Sequence, residues 1–207
     1  MKTENMNQAK AVRVILADAR QMKPCHLDEL SEARRQHAAR YKMSADRQRS
    51  VAAGLLTARL LPGSDIYIDE RGKPRTRSGA CFNLSHSGDY AAIALGDNEV
   101  GVDIEAVRLV NPLRLGKAVF CENELALLRC ARDRLGCFYD LWTKKEALLK
   151  CMGKGFYRSP KSVDVSGSCY NENGVTYYYQ TFHFADYTLS VCSLTPSFSQ
   201  TVSFLKV

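Results

Sequence analysis

Gly101-Val102-Asp103-Ile104-Glu105 and Trp142-Thr143-Lys144-Lys145-Glu146-Ala147-Leu148-Leu149-Lys150 are the two stretches on which the rest of the chain can be hung. The first falls in a strand expected over Val100 to Ile104. Side chains two apart in a strand share a face, so Asp103 and Glu105 point the same way, within reach of one cation. The second falls in a helix expected from Phe138 to Met152, with Phe138, Leu141, Trp142, Leu148, Leu149 and Met152 as its buried stripe and Gly153-Lys154-Gly155 as its stop. At about 3.6 residues per turn, Glu146 and Lys150 lie at the edge of that stripe, in line with Trp142. A half-shielded position is where a carboxylate's pKa can be tuned for proton transfer. Each pair alone has a plainer reading: a solvated acidic strand end, or an i,i+4 surface pair worth about 0.2–0.5 kcal/mol. Together they offer three carboxylates to a hard cation, which prefers oxygen ligands, with a lysine one turn away.

Around these stretches the chain reads as mixed α and β. Ala11 to Leu16 is a buried strand; residues 27–61 hold two helices, the second from Ala45 to Leu61 and ended by Pro62-Gly63. Ile66 to Asp69 is a short strand and Glu70 to Pro74 a turn. Asn83 to Ser85 and Tyr90 to Leu95 are strands around a Ser-His turn. Arg114 to Arg134 is helical, with a helix start near Cys121 to Glu124. From Ser162 the chain is strand-rich, with a hairpin turn at Asn171 to Gly174. Asp89-Tyr90-Ala91-Ala92-Ile93-Ala94 echoes Asp186-Tyr187-Thr188-Leu189-Ser190-Val191, which suggests two related α+β halves, 1–100 and 101–207. The first ten residues are polar and expected to fray.

The chain has 207 residues, 45% of them hydrophobic, and a net charge of +7, so it can bury a core and favours an anionic partner. Its eight cysteines include no Cys-x-x-Cys pair, which argues against a zinc cage. With polar residues at the start and no apolar run near the ~20 residues a membrane span needs, the expectation is a cytoplasmic protein with reduced thiols and no membrane contact.

Phosphate-binding groups are also present. Ser85 and His86 offer a hydroxyl and an imidazole, Gly72-Lys73-Pro74 holds a lysine on a restrained turn, and arginines crowd the N-terminal helices, with Arg49 the preferred contact and Arg34 a looser one. Walker A and Gly-x-Gly-x-x-Gly loops are absent. A lone Ser-His on a turn, or a basic helix face, has an ordinary structural reading.

In order and spacing, Gly72-Lys73-Pro74, Phe82-Asn83-Leu84-Ser85-His86-Ser87, Gly101-Val102-Asp103-Ile104-Glu105, Phe120-Cys121-Glu122-Asn123-Glu124 and Trp142 to Lys150 with Gly153-Lys154-Gly155 resemble the 4′-phosphopantetheinyl transferases of the surfactin-synthetase-activating type, over about residues 30–155. The resemblance implies an α+β fold of two similar halves in pseudo-twofold arrangement. The active site would lie in the cleft between a coenzyme A-binding half, 1–100, and a metal-binding, catalytic half, 101–207. It implies transfer of the phosphopantetheine arm of coenzyme A to a serine of an apo acyl or peptidyl carrier protein, with release of 3′,5′-ADP, by a monomer. Mg2+ is the implied metal, with Mn2+ a possible substitute, on Asp103, Glu105 and Glu146. Glu146 is implied as the base and Lys150 as stabiliser of the breaking diphosphate. Arg49, Gly72, Lys73, Pro74, Ser85 and His86, with Asp103 and Lys150, would hold coenzyme A. The chain departs from the family at Cys121, where Ser or Thr is common; Cys is a weaker helix cap.

Two rivals share parts of this pattern. A metal-dependent nuclease also combines acids and a lysine, but commonly two apart on a strand, whereas Glu146 and Lys150 are four apart on a helix. A basic nucleic-acid-binding module explains the charge and leaves the carboxylates without a purpose.

Overall fold

The computed structural model describes residues 11–153 and 158–207. The N-terminal ten residues, and Lys154 and Gly155 of the glycine-lysine turn, lie outside the described residues. The fold is α+β. Its elements are β1 (Arg13–Asp18), α1 (Glu32–Ala39), α2 (Ser44–Leu60), β2 (Ile66–Ile68), β3 (Pro74–Thr76), β4 (Cys81–Ser87), β5 (Tyr90–Gly96), β6 (Val100–Ala106), α3 (Pro112–Val119), α4 (Glu122–Cys130), α5 (Arg134–Cys151), β7 (Cys169–Glu172), β8 (Val175–Phe184), β9 (Tyr187–Ser193) and β10 (Ser203–Phe204).

Two four-stranded sheets carry the fold, in orders β10-β1-β5-β4 and β6-β9-β8-β7, beside the small β2-β3 ribbon. Alternation along the strands gives each sheet two apolar faces. On one face of the first sheet, Ile15, Phe82 and Ile93 meet Ala52, Ala53 and Leu56 of α2. On its other face, Val14, Leu16, Ala92 and Ala94 meet Val102 and Ile104 of β6 and Leu189 and Val191 of β9. The far side of the second sheet is covered by α5, which packs on β6 and β9. Helix, sheet, sheet and helix are therefore stacked in layers, each burying the apolar side of the next.

The two sheets repeat one connection. β1 is followed by α2 and then the β4-β5 hairpin, whose second strand pairs antiparallel with β1. β6 is followed by α5 and then the β8-β9 hairpin, whose second strand pairs antiparallel with β6. The echoed segments at 89–94 and 186–191 enter β5 and β9, in equivalent places. The chain end then returns to the first sheet: Phe198 bridges Val12, and β10 pairs parallel with β1.

Three local features decide how the site is built. Gly101 lets α5 close onto β6: a Cβ there would collide with the carbonyl oxygen of Ala147 and the amide nitrogen of Cys151. Gly153, at φ +62°, ends α5 in the left-handed conformation that favours glycine at a helix C-terminus. Finally, the expected Ser-His turn is corrected. Ser85, His86 and Ser87 all belong to β4, and the turn is Gly88-Asp89. Serines favour turns because their hydroxyls can satisfy nearby backbone. Here those hydroxyls bond to β6 instead, and the strand continues.

Candidate active site

β4 and β6 come together where the two sheets meet, and side chains join them. Asn83 Oδ1 accepts the Val102 N–H at 3.0 Å, Ser85 Oγ the Ile104 N–H at 3.3 Å, and Ser87 Oγ the Ala106 N–H at 3.1 Å. Ser85 also donates to Asp103 Oδ1 at 3.0 Å, and Ser87 to Glu105 Oε2 at 2.7 Å. Strand alternation puts His86 on the opposite face of β4, toward α2, with Leu84.

From the other side α5 brings Glu146 and Lys150. The Lys150 ammonium donates to Asp103 Oδ1 at 2.7 Å, to the Val102 carbonyl at 3.1 Å and to Ser85 Oγ at 3.2 Å. Asp103 is 5% exposed, and its second oxygen, Oδ2, is buried with no hydrogen-bond partner. Glu146 is half-buried, and its carboxylate forms no hydrogen bond among the described residues. Burial first, then the charges of Asp103 and Glu105, push the Glu146 carboxyl above its ordinary pKa, against the pull of Lys150. Glu105 is raised in the same way, by burial and then by Asp103; Ser87, Trp142 and Lys150 act in the opposite direction. Trp142 Nε1 reaches Glu105 Oε1 at 3.4 Å.

This is a concentration of negative charge that one lysine does not balance. A divalent ion fits such a place: Asp103 Oδ2 is an oxygen with a vacant acceptor site, and oxygen donors suit a hard cation. The tightest group of ligand-type side chains among the described residues is elsewhere. Cys121, Glu124 and Asp164 place ligand atoms within 4.8 Å of one another, and Asp103, Glu105 and Glu146 are not drawn together to that spacing. Glu124, however, is already satisfied. It accepts from Lys145 Nζ at 2.8 Å, from the Cys121 N–H at 2.9 Å and from the Val165 N–H at 2.8 Å.

The remaining residues singled out from sequence are spread over two places. His86 is exposed at the rim; surrounding protein, then the charges of Arg49 and Lys150, hold its imidazole below the ordinary histidine pKa and so favour the neutral form. Arg49 reaches the Gly88 carbonyl at 2.8 Å and pairs with Asp46. Arg34 lines a pocket of about 750 Å³ between α1, α2 and the β2-β3 ribbon, with His37, Ile66, Phe82 and Leu84. Lys73, between Gly72 and Pro74, is buried. Its ammonium donates to Glu99 at 2.6 Å and to the carbonyls of Val100 and Cys151 at 3.2 and 3.3 Å, which ties the β2-β3 ribbon to the start of β6 and the end of α5.

Lys145 was missed from sequence. It is fully buried, paired with fully buried Glu124, and donates to the carbonyls of Pro160 and Val163 at 2.8 and 2.6 Å. Its spacing held the signal: four residues after Leu141 and three before Leu148, it lies on the buried face of α5.

Comparison with known proteins bears on the family rather than on individual site residues. Residues 99–192 match the 4′-phosphopantetheinyl transferase superfamily. The chain is 31% identical over 138 residues to the 4′-phosphopantetheinyl transferase Gsp of Aneurinibacillus migulanus, covering 62% of this chain and 58% of Gsp. It is 43% identical over 105 residues to the 4′-phosphopantetheinyl transferase AcpT of Salmonella typhimurium, covering 48% of this chain and 55% of that one. The chain thus spans somewhat more than half the length of these relatives. With AcpT of Escherichia coli O157:H7 it shares 34% identity over 148 residues, 69% of this chain and 72% of the relative. On that likeness, which extends over more than two thirds of both proteins, the chain belongs to the 4′-phosphopantetheinyl transferase superfamily.

Proposed function

We propose that the protein transfers the 4′-phosphopantetheine arm of coenzyme A to a serine hydroxyl of an apo acyl or peptidyl carrier protein, leaving 3′,5′-ADP. The observation that carries this reading is the buried, unpartnered Oδ2 of Asp103 beside two carboxylates of raised pKa, with a lysine on the other oxygen. Family membership supports it.

Asp103, Glu105 and Glu146 would hold Mg2+, with Mn2+ able to replace it. A divalent ion held there would neutralise charge that develops on the nucleotide 5′-phosphate as the diphosphate linkage breaks and 3′,5′-ADP leaves. Glu146, which makes no side-chain hydrogen bond among the described residues, would take the proton of the attacking serine directly or through water. Lys150, held by Asp103 and the Val102 carbonyl, presents positive charge to the diphosphate. His86 and Arg49, together on the α2 side of β4, bind coenzyme A phosphate, and the Gly72-Lys73-Pro74 turn borders the nucleotide. The Lys73 ammonium is engaged within the fold, so the turn's shape, rather than its charge, would serve the ligand.

In this reading the halves 1–100 and 101–207 are related by a pseudo-twofold axis, and coenzyme A lies in the cleft between them. The repeated strand–helix–hairpin connection in the two sheets supports that relation. A net charge of +7 suits an acidic carrier. Incubation with Mg2+, coenzyme A and a panel of apo carriers, read by intact mass, tests the proposal. A carrier should gain one phosphopantetheine; no gain with any carrier refutes the activity.

A further inference from the structure

Val102, Ile104 and Ala106 donate their backbone N–H groups to the side chains of Asn83, Ser85 and Ser87 of β4 rather than to the backbone carbonyls of a paired strand. A buried N–H without an acceptor is costly, so these side-chain oxygens stand in for a missing strand partner. A serine hydroxyl that accepts from an amide still has its own proton to place. Ser85 places it on Asp103 Oδ1 and Ser87 on Glu105 Oε2. The backbone therefore sets where each hydroxyl sits, and the hydroxyl sets one oxygen of each carboxylate.

The other oxygens are what remain. Lys150 joins Ser85 on Asp103 Oδ1, which leaves Oδ2 buried and unpartnered. On Glu105, Ser87 engages Oε2, while among the described residues Oε1 has only the long contact from Trp142. Asn83 supplies an internal comparison. It accepts the Val102 N–H in the same manner, but its acceptor oxygen has no proton to pass on, and the corresponding position on β6 is Gly101, without a side chain.

We propose that Ser85 and Ser87 are positioning residues whose hydroxyls, oriented by the Ile104 and Ala106 amides, turn Asp103 and Glu105 so that Asp103 Oδ2 and Glu105 Oε1 face the divalent cation. This rests on the metal reading above. It gives Ser85 a task other than the phosphate contact its motif suggests, and brings in Ser87, which the motif left without a role.

The test uses Mn2+ alone, without coenzyme A or carrier, with free Mn2+ followed by electron paramagnetic resonance. Ser85→Ala and Ser87→Ala should each weaken Mn2+ binding about tenfold or more, as loss of a hydrogen bond to a metal ligand does. Ser87→Thr, which restores the hydroxyl, should return close to wild-type affinity. Asn83→Ala, which removes a backbone clasp and touches no carboxylate, should bind Mn2+ as the wild type does, though it melts earlier. If Ser85→Ala does not fold, Ser87→Ala at the half-exposed rim decides. Folded alanine variants with wild-type Mn2+ affinity overturn the inference, as does an equal loss in Asn83→Ala. A wild-type protein that binds no Mn2+ overturns the metal reading, and this inference with it.

Discussion

Lys150 Nζ lies 2.7 Å from Asp103 Oδ1, while Oδ2 of the same carboxylate is buried without a partner. One oxygen is neutralised from within and the other left available, so the lysine fixes the carboxylate without consuming it. Glu146, one helical turn before Lys150, has no such partner among the described residues, and this asymmetry along α5 separates the two roles assigned to them.

The first prediction concerns Glu146→Gln. It should lower transfer by about 10²–10⁴-fold, the range for losing a general base, and leave the fold intact. Because burial, and then Asp103 and Glu105, disfavour the Glu146 charge, the neutral amide should melt no earlier than the wild type. Carrier modification read by mass, beside a thermal melt, checks both.

A second prediction follows from the approach of α5 to β6. Gly101→Ala puts a methyl against the backbone of Ala147 and Cys151, which cannot rotate away as a flexible side chain would. Overpacking of this kind costs about 1–3 kcal/mol or more. It should also displace Glu146 from Asp103, so that any folded fraction transfers poorly. Denaturant unfolding together with the mass assay measures the two effects separately.

Lys145 and Glu124 form an ion pair with both side chains 0% exposed. Removing one partner strands a buried charge, so Lys145→Met should cost about 3–5 kcal/mol. Replacing both with apolar residues should recover much of that loss. A double-mutant cycle by chemical denaturation would show it as a strong coupling between the sites.

Acid should weaken the tie between the β2-β3 ribbon and β6. Burial raises the Glu99 pKa, but hydrogen bonds and charges from Lys73 and Arg75 outweigh it and leave the carboxyl below its ordinary 4.5. A lowered folded-state pKa gives stability that is present above the unfolded value and lost as pH falls through the folded one. Glu99→Gln should therefore be less stable than the wild type at pH 7, and the gap should close as pH falls below about 4.5. Melting temperatures of both proteins across that range test this.

Much of the layout was legible in sequence because periodicity is local. The α5 stripe, the β6 strand with its paired acids, and the Asn173-Gly174 hairpin turn, both residues at positive φ, could be read from spacing alone, and α2 was found as a helix although its burial runs unbroken from Ser50 to Thr57 rather than along one stripe. What escaped depends on distant partners. Ser85 and Ser87 read as a turn until β6 supplied the amides that keep them in a strand. Lys73 read as a ligand-binding charge, and its ammonium is spent on Glu99 and two carbonyls. Lys145 lay between obvious site residues, yet only the fold shows that Glu124 meets it in the core. A strand as short as β10 has too few residues for any period to show.

The central claim is that acids from β6 and α5 share one divalent ion. A crystal grown with Mn2+ and coenzyme A, measured at an anomalous wavelength, tests it most directly. The account predicts a single manganese peak bonded to both Asp103 Oδ2 and the Glu146 carboxylate. A peak away from both residues, or one bonded to Asp103 with Glu146 turned elsewhere, would contradict it.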